Sequence, residues 1–474
     1  MSSREQFIPR GQFQTAATQF LLQNDRGMLA VDPGLGKTVM TLNAIDTHIV
    51  CGESHPFLIL APLRVARTTW KDELHRWKHL SHLDISTIVG SPQERQRALN
   101  RDVPIYTCNY ENLVWLTEKL RGRWKFQNII ADEATKLKAH RAHWQRTKSG
   151  EVLHCTGGVR TSVLARLAFK KIKRFWELTG SLGSNSLLQI WPLIWYLDAG
   201  ERLGKSYSAF KDRWFKTGYN GFDIEALPYA EPEIRERIRD LVFTLLAKDY
   251  LDLGDEIVNT VYVDLPDTAK KHYKEMEKDF YTRVKNREIE AFTAATKSGK
   301  LRQLANGAIY YDHSLNWEPV HNAKIEALES LIEEMNGMPL LVVYFFKSDL
   351  ARLKKAFPRG RAFTTDEKTE TAFKQGEIPI LFIHPDSAGH GIDKFQYVTN
   401  AIVFFSLDWN SELRTQVIGR IGKVRQYQAG FKRPVFIYNL VCRNTIDEDI
   451  LARIEDKLSV EEALKRGLAR VGIN

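Results

Sequence analysis

The sequence predicts an α/β protein with two lobes, each built on a parallel sheet, joined by a helical connecting region. Short apolar runs alternate with amphipathic stretches in the first and last parts of the chain, whereas the middle is charged and helix-like. Continuous apolar runs that end in small or polar residues are typical of strands buried on both faces of a parallel sheet. A chain of 474 residues is also too long for one ordinary core, which favours several domains.

The predicted strands fall into two groups, separated by the charged middle of the chain. In the first group they cover residues 27–31, 57–62, 103–110, 128–134 and 174–181, and in the second 339–346, 378–385, 401–406 and 433–441. We therefore predict three domains, namely a first lobe over 1–200, a helical connecting region over 201–320, and a second lobe over 321–474 that ends in a helix.

The amino-acid composition indicates the kind of partner and the cellular compartment. The formal net charge is +10, which favours a polyanionic partner. The four cysteines are widely separated and form no CxxC pair, which indicates free thiols in a reducing compartment rather than a zinc site or a disulfide framework. No apolar run reaches the ~18 residues of a membrane helix, and the first residues lack the apolar core of a signal peptide. We expect a cytosolic protein with no membrane partner.

The stretch MLAVDPGLGKTVMTLNAI, residues 28–45, joins an apolar run to a glycine-containing turn and an amphipathic segment. We predict a strand, a tight turn and a helix whose first backbone N–H groups bind phosphate. Lys37 would neutralise the β- and γ-phosphates, and the Thr38 hydroxyl would coordinate Mg²⁺. An ordinary strand–turn–helix is the alternative, because Val31 replaces the first glycine of the pattern GxxxxGK[ST]. The predicted nucleotide contacts are Pro33, Gly34, Leu35, Gly36, Lys37, Thr38 and Val39.

An acidic pair follows the apolar run NIIA at residues 128–131. Open α/β sheets bind ligands at the carboxyl ends of their strands. Asp132 is the expected carboxylate that organises Mg²⁺, and Glu133 is the expected base that orients or deprotonates the attacking water. An exposed acidic pair at a strand end is the alternative, which the preceding GLGKT segment disfavours.

Together these segments resemble the superfamily 2 helicases and translocases, and among them the chromatin-remodeller-like (Snf-type) ATPases in a compact bacterial or phage form. The matching stretches, in family order, are FQTAATQFLL, DPGLGKT, LILAPLRVARTTWKDELHRW, ADEATKLK, LTGSLGSNSLLQIWPLIWYL, LLVVYFFKSDLARL, SAGHGIDKFQYVTNAIVFFSLDWN and QVIGRIGKVRQ. The resemblance implies two RecA-like lobes, a Walker A turn, a DEAH-type box, and ATP and Mg²⁺ as cofactors.

The resemblance also assigns residues outside the phosphate turn. It implies that Gln14 contacts adenine, that Gly391 and Asp393 contact the nucleotide, and that the catalytic groups of the second lobe are Gln416, Arg420, Lys423 and Arg425. The family's second arginine falls on Lys423, and lysine lacks the planar fork of arginine. Three readings stay open: Arg420 carries most of the charge stabilisation, Arg425 substitutes, or hydrolysis is slow.

Candidate nucleic-acid contacts come from the family motifs and from a basic insertion at residues 138–174, whose single acid is Glu151. The insertion resembles a hairpin or loop, which either contacts phosphates or is a solvated basic loop. Trp409 either lines the nucleic-acid path or fills the edge of its lobe. The candidates are Arg64, Thr179, Gly180, Ser387, Gly389, Trp409, Lys148 and Arg160.

Two aromatic or histidine patterns favour a structural interpretation. Trp70 and Trp77 are seven residues apart on one helical face, which predicts core packing rather than base stacking. His140 and His143 have no accompanying cysteine or carboxylate set, so we do not expect a zinc site there.

The sequence therefore predicts a monomeric, nucleic-acid-dependent ATPase that translocates on DNA, whether duplex, forked or single-stranded. Strand separation in DNA repair, replication or recombination is a finer expectation. The alternatives are an ATP-gated nucleic-acid clamp with weak hydrolysis, and a motor that moves on RNA.

Overall fold

The computed structural model describes residues 4–9, 11–147, 150–182, 186–217, 224–254, 256–279, 281–284, 287–290, 293–312, 314–364, 367–388 and 395–468. The chain forms two compact units. The first comprises Met1–Tyr250 together with Ser459–Asn474, and the second comprises Leu251–Leu458.

The first unit is built on a parallel sheet. Its strands, in chain order, are β1 (Arg26–Val31), β2 (Phe57–Ala61), β3 (Ile85–Ile88), β4 (Ile105–Asn109), β5 (Asn128–Asp132), β6 (His140–Thr147), β7 (Gly150–Gly157), β8 (Arg174–Thr179), β9 (Phe215–Thr217), β10 (Ile224–Ala226) and β11 (Val242–Leu245). Within the described residues the sheet has seven strands in the order β11-β1-β8-β5-β2-β4-β3. The pairs β6–β7 and β9–β10 are separate antiparallel hairpins.

Helices cover this sheet. They are α1 (Gln12–Gln23), α2 (Lys37–Val50), α3 (Trp70–Arg76), α4 (Pro92–Leu99), α5 (Leu113–Lys119), α6 (Val159–Ala168), α7 (Ile190–Asp198), α8 (Tyr207–Trp214) and α9 (Ala230–Ile238). Every residue of β2, β4, β5 and β8 is buried, as continuous apolar runs in the middle of a helix-covered sheet require. The strand order places β8 between β1 and β5, so the residues that follow these three strands meet at one edge.

The second unit is built on another parallel sheet. Its strands are β12 (Glu256–Val263), β13 (Tyr281–Val284), β14 (Arg287–Glu290), β15 (Ala308–Tyr310), β16 (Trp317–Pro319), β17 (Leu340–Val343), β18 (Arg361–Ala362), β19 (Ile380–Ile383), β20 (Ala401–Phe404) and β21 (Val435–Cys442). The described part of the sheet has six strands in the order β12-β21-β20-β17-β19-β18. The pairs β13–β14 and β15–β16 are antiparallel hairpins.

The helices of the second unit are α10 (Asp267–Asp279), α11 (Ala294–Asn306), α12 (Ala323–Glu334), α13 (Lys347–Ala356), α14 (Glu367–Lys374), α15 (Pro385–Ala388), α16 (Ser411–Ile418) and α17 (Lys423–Gln428). The last helix, α18 (Ile446–Leu468), begins in this unit, and its residues from Ser459 onward belong to the first unit. None of the described helices combines the length and the apolar composition that crossing a bilayer requires.

The predicted fold class, two α/β lobes on parallel sheets, is confirmed. The compact units divide the chain differently from the predicted domains, because the region 201–320 is shared between them. Residues 242–245, predicted as part of a helical stretch, form strand β11, which is completely buried beside β1. The run VFTL is rich in β-branched and aromatic residues, and pairing with β1 satisfies its backbone groups where a helix would leave the sheet edge open.

Candidate functional site

The turn between β1 and α2 has the backbone geometry of a phosphate cradle. Gly34 and Gly36 have φ of 90° and 92°, a left-handed conformation that glycine adopts without steric cost. A Cβ at Gly36 would lie 2.7 Å from Nε2 of Gln14, so a side chain at this position would displace the Gln14 amide as well as strain the backbone. Helix α2 then begins at Lys37 with no side-chain cap, which leaves its first N–H groups directed at the turn.

Lys37 is surrounded by carboxylates and folds back onto its own turn. Its Nζ donates a hydrogen bond to the carbonyl of Val31 at 2.6 Å. Burial lowers the pKa of Lys37, and the neighbouring Glu133, Asp132 and Asp32 partly offset this effect. The structure therefore brings the predicted phosphate-binding cation together with the predicted acidic pair.

Gln14 is buried in α1, and its Nε2 donates to the carbonyl of Leu35 at 3.0 Å. In this structure the side chain supports the phosphate turn. Its predicted contact with adenine stays a prediction.

Asp132 is held on three sides at the end of β5. Its Oδ2 accepts a hydrogen bond from the indole Nε1 of Trp70 at 2.9 Å, and its Oδ1 accepts one from the backbone N–H of Glu133 at 3.0 Å. The Tyr110 hydroxyl donates to the Asp132 carbonyl at 2.8 Å. Burial raises the pKa of Asp132, against the opposing effects of Trp70 and Lys37. These hydrogen bonds fix the orientation of the carboxylate.

Glu133 has φ of 53° and ψ of 58°, a left-handed conformation that is uncommon for a residue with a Cβ. Such strained residues cluster at active sites, where the surrounding structure maintains them. The turn directs the chain from β5 into the short helical segment Ala134–Leu137. This backbone feature marks Glu133 out independently of the sequence motif.

The end of β8 and the residue that follows it lie beside the phosphate turn. Thr179 is completely buried, and its hydroxyl donates to and accepts from the backbone of Ser181. A Cβ at Gly180 would lie 3.2 Å from Cγ of Pro33 and 3.7 Å from Nζ of Lys37. Gly180 thus lies against the phosphate turn, and the predicted contacts of Thr179 and Gly180 with nucleic acid stay predictions.

The residues at this edge fit ATP with Mg²⁺. Gly34 and Gly36 have no side chains to block the approach of a phosphate to the backbone. The uncapped start of α2 offers N–H groups as hydrogen-bond donors, and Lys37 supplies a positive charge. The Thr38 hydroxyl and the Asp132 carboxylate are hard oxygen ligands, which Mg²⁺ prefers. Within the described residues no group of three or more histidine, cysteine, aspartate or glutamate side chains could hold a metal by itself.

The motif VI candidates lie together in the second unit. Gln416 is on α16, where its Nε2 lies 3.5 Å from Oε1 of Glu412. Arg420 follows in the turn, and Lys423 and Arg425 are on α17. The Nζ of Lys423 lies 3.9 Å from Oε2 of Glu256 on β12. All four candidate side chains are half-buried, and their catalytic roles stay predictions.

The remaining nucleic-acid candidates are dispersed. Arg64 is half-buried just before the π-helical segment Val65–Thr69, and Ser387 is half-buried on α15. Exposed Arg160 is ion-paired with Glu111. Trp409 packs against the apolar core of its unit, with its Nε1 3.4 Å from Oγ of Ser298. Four predicted residues lie outside the described residues, namely Lys148, Gly389, Gly391 and Asp393.

The basic insertion contains an antiparallel hairpin, as predicted. Its strands β6 and β7 pair from His140 with Gly157 to Thr147 with Gly150. His140 is completely buried against Trp191, Trp195 and Tyr196, and burial lowers its pKa to about 3. It is a core residue that anchors the base of the hairpin.

Comparison with known proteins matches residues 13–309 to the family model of the SNF2-related domain. The chain belongs to the SNF2-related family. It is 41% identical to putative protein p41 of Acyrthosiphon pisum secondary endosymbiont phage 1, over 98% of this chain and 99% of that protein. It is 24% identical to the ISWI chromatin-remodeling complex ATPase ISW1 of Saccharomyces cerevisiae, over 92% of this chain and 38% of the yeast protein.

A solved structure is also similar to this SNF2-related chain. It is the Sulfolobus solfataricus SWI2/SNF2 ATPase core in complex with dsDNA, with 21% identity, a TM-score of 0.44, and coverage of 98% of this chain and 95% of that one. The SNF2-related chain spans less than half of the yeast protein, but nearly all of the phage protein.

Sequence reasoning missed several residues that shape the site of this SNF2-related protein. Trp70 was correctly predicted to pack in the core, but its hydrogen bond to Asp132 was not predicted. Tyr110 supports the same residue, and Asp32 and Lys465 form an ion pair beside the phosphate turn. The spacing of residues along the sequence does not indicate that positions so far apart are in contact. The one available signal was an aspartate directly before the glycine turn.

The indole of Trp70 gives a first testable prediction. In Trp70→Phe we expect ATP turnover at limiting Mg²⁺ to fall roughly tenfold, because the substitution removes one charge-assisted hydrogen bond and leaves the Asp132 carboxylate held only through Oδ1. Excess Mg²⁺ should restore most of the loss. Turnover measured across a Mg²⁺ titration checks this.

The matched control is Trp77→Phe, because the indole of Trp77 donates instead to Glu73 and is half-buried. Equal Mg²⁺ dependence in both variants would refute the role of Trp70.

Proposed function

We propose that this chain is a DNA-dependent ATPase that uses ATP and Mg²⁺ to translocate along DNA. The observation that carries the proposal is the meeting of Lys37, Asp132 and Glu133 at one edge of the first sheet, with Gly180 beside them. Membership of the SNF2-related family supports it, since the named yeast relative is an ATPase of a chromatin-remodeling complex.

The residues divide the chemistry between them. The start of α2 and Lys37 bind the phosphates, and Thr38 with Asp132 holds the metal ion. When bound, Mg²⁺ neutralises charge that develops on the phosphate oxygens. Glu133 orients or deprotonates the attacking water. Arg420, with Arg425 or Lys423, supplies positive charge in the transition state, as arginine fingers do in related phosphoryl-transfer enzymes.

The net charge of +10 favours a polyanionic track, and DNA is proposed because the named yeast relative is an ATPase of a chromatin-remodeling complex. The hairpin β6–β7 and the residues Arg64, Ser387 and Trp409 are proposed contacts. Separation of strands at forks, in repair, replication or recombination, is the finer form of the proposal. We also propose that the protein acts as a monomer in the cytosol of a bacterial cell or phage-infected host.

A second candidate, an ATP-gated clamp with weak hydrolysis, is favoured by one observation. Lysine replaces the family's second arginine at position 423, and its ammonium faces Glu256. The two candidates predict different turnover with DNA present, because a clamp binds the polymer without being stimulated by it.

The test is steady-state ATP turnover without polymer and with duplex DNA, forked DNA, single-stranded DNA or RNA. We expect duplex or forked DNA to stimulate turnover, and the protein to displace a third strand from a DNA triplex in an ATP-dependent reaction. Stimulation by RNA alone would show that the protein moves on RNA rather than on DNA. DNA binding with no stimulation by any polymer would favour the clamp.

A further inference from the structure

The end of α18 lies at the phosphate edge of the first sheet. Leu464 and Leu468 are buried in the same apolar cluster as Leu182 and Trp191. On the same part of the helix, Glu461 and Lys465 are also buried, with exposed fractions of 5% and 6%. A buried charged pair is costly unless specific partners satisfy it, so the contacts of these two side chains need an explanation.

Lys465 contacts both segments that line the phosphate site. Its Nζ lies 3.0 Å from Oδ1 of Asp32, which directly precedes the glycine turn, and 2.7 Å from the carbonyl oxygen of Gly180. Glu461, one helical turn earlier, lies 3.2 Å from the same Nζ and accepts a hydrogen bond from the backbone N–H of Leu182. The helix end thus joins the loop after β1 to the loop after β8.

Asp32 would otherwise act against phosphate binding. It is close enough to Lys37 to raise the pKa of that ammonium, so its negative charge lies near the predicted site of the triphosphate. Its two oxygens are directed elsewhere, one to Lys465 and the other to the backbone N–H of Ala247 at 3.0 Å. Burial opposes the charge on Lys465, but Glu461 and Asp32 outweigh this effect and raise its pKa. The ammonium is therefore charged at neutral pH.

We propose that Lys465 is a positioning residue of the phosphate site, which neutralises Asp32 and holds it away from Lys37 so that Lys37 is available to the nucleotide. The inference rests on the proposed ATP site and deepens it. A helix that only packed against this surface would need Leu464 and Leu468, and no buried ion pair. Because Lys465 acts through Asp32 and the carbonyl of Gly180, its effect falls on ATP binding rather than on the chemical step.

The test is ATP affinity, measured with a fluorescent ATP analogue, together with steady-state turnover. In Lys465→Gln we expect ATP affinity to fall and KM to rise roughly tenfold, with kcat within about threefold, because Asp32 and Glu461 both lose the ammonium and the charge of Asp32 then faces the phosphates. The matched control is Arg466→Gln, which removes a neighbouring exposed cation that pairs with Glu462. The control should bind ATP as the unmodified chain does.

A double variant separates positioning from simple structural support. Asp32→Asn combined with Lys465→Gln removes the ammonium and the carboxylate nearest to the phosphates while Glu461 is unchanged, and we expect it to recover most of the lost affinity. Unchanged affinity in Lys465→Gln, or no recovery in the double variant, would overturn the inference. If the single variant does not fold, two other variants provide the test. These are the double variant, in which no aspartate is left unpaired, and Lys465→Arg. Both should bind ATP within about threefold of the unmodified chain. Failure of the unmodified chain to bind the analogue would instead refute the proposed ATP site.

Discussion

Glu133→Gln should lower the kcat of ATP hydrolysis by about 10²–10⁴-fold, the range associated with loss of a general base. The amide keeps the size of the side chain but cannot accept a proton at neutral pH. Glutamine also adopts the backbone conformation of Glu133, whose φ is 53°, at a similar cost, so the turn after β5 should persist. Steady-state turnover with duplex DNA measures the effect.

ATP affinity separates this effect from general damage. Glu133→Gln should bind a fluorescent ATP analogue within about threefold of the unmodified chain, because the phosphates are held by Lys37 and the start of α2. Glu118→Gln is the matched control, since Glu118 is exposed on α5 of the same unit. Turnover that persists in Glu133→Gln would show that the base lies elsewhere.

Lys37→Gln should weaken ATP binding about 100-fold, the scale expected when one partner of a desolvated charge pair is truncated. The reason lies in the surroundings of the ammonium. Lys37 lies close to Glu133 and Asp132, so its removal leaves these carboxylates facing the triphosphate. Equilibrium titration with the fluorescent analogue measures the loss.

The expected pattern distinguishes Lys37 from Glu133. Lys37→Gln should lose binding, whereas Glu133→Gln should lose only hydrolysis. Lys71→Gln is the control, because Lys71 is an exposed cation on α3 of the same unit. If Lys37→Gln binds ATP normally, the turn after β1 is an ordinary strand–turn–helix, and the ATPase proposal fails with it.

Strong local patterns in the sequence predicted most of both sheets. The run FLILA became β2 and NIIAD became β5, both completely buried, because uninterrupted apolar residues have no solvent face to offer. Prediction failed where a short strand followed a charged helix. Val242–Leu245 continues an amphipathic pattern from α9, and only the open edge of β1 makes it a strand.

The same contrast holds at the candidate site. The sequence by itself determined the local chemistry of the site: a glycine turn with a lysine at the start of a helix, and an acidic pair at a strand end. The order of strands in the first sheet decided the rest, because placing β8 between β1 and β5 brings Gly180 against Pro33 and Lys37. Tertiary packing also supplied Trp70 and Lys465, which reach Asp132 and Asp32 from elements distant in sequence. Periodicity reports which side of an element is buried, whereas the partner of a buried polar group is set by the three-dimensional arrangement of the chain.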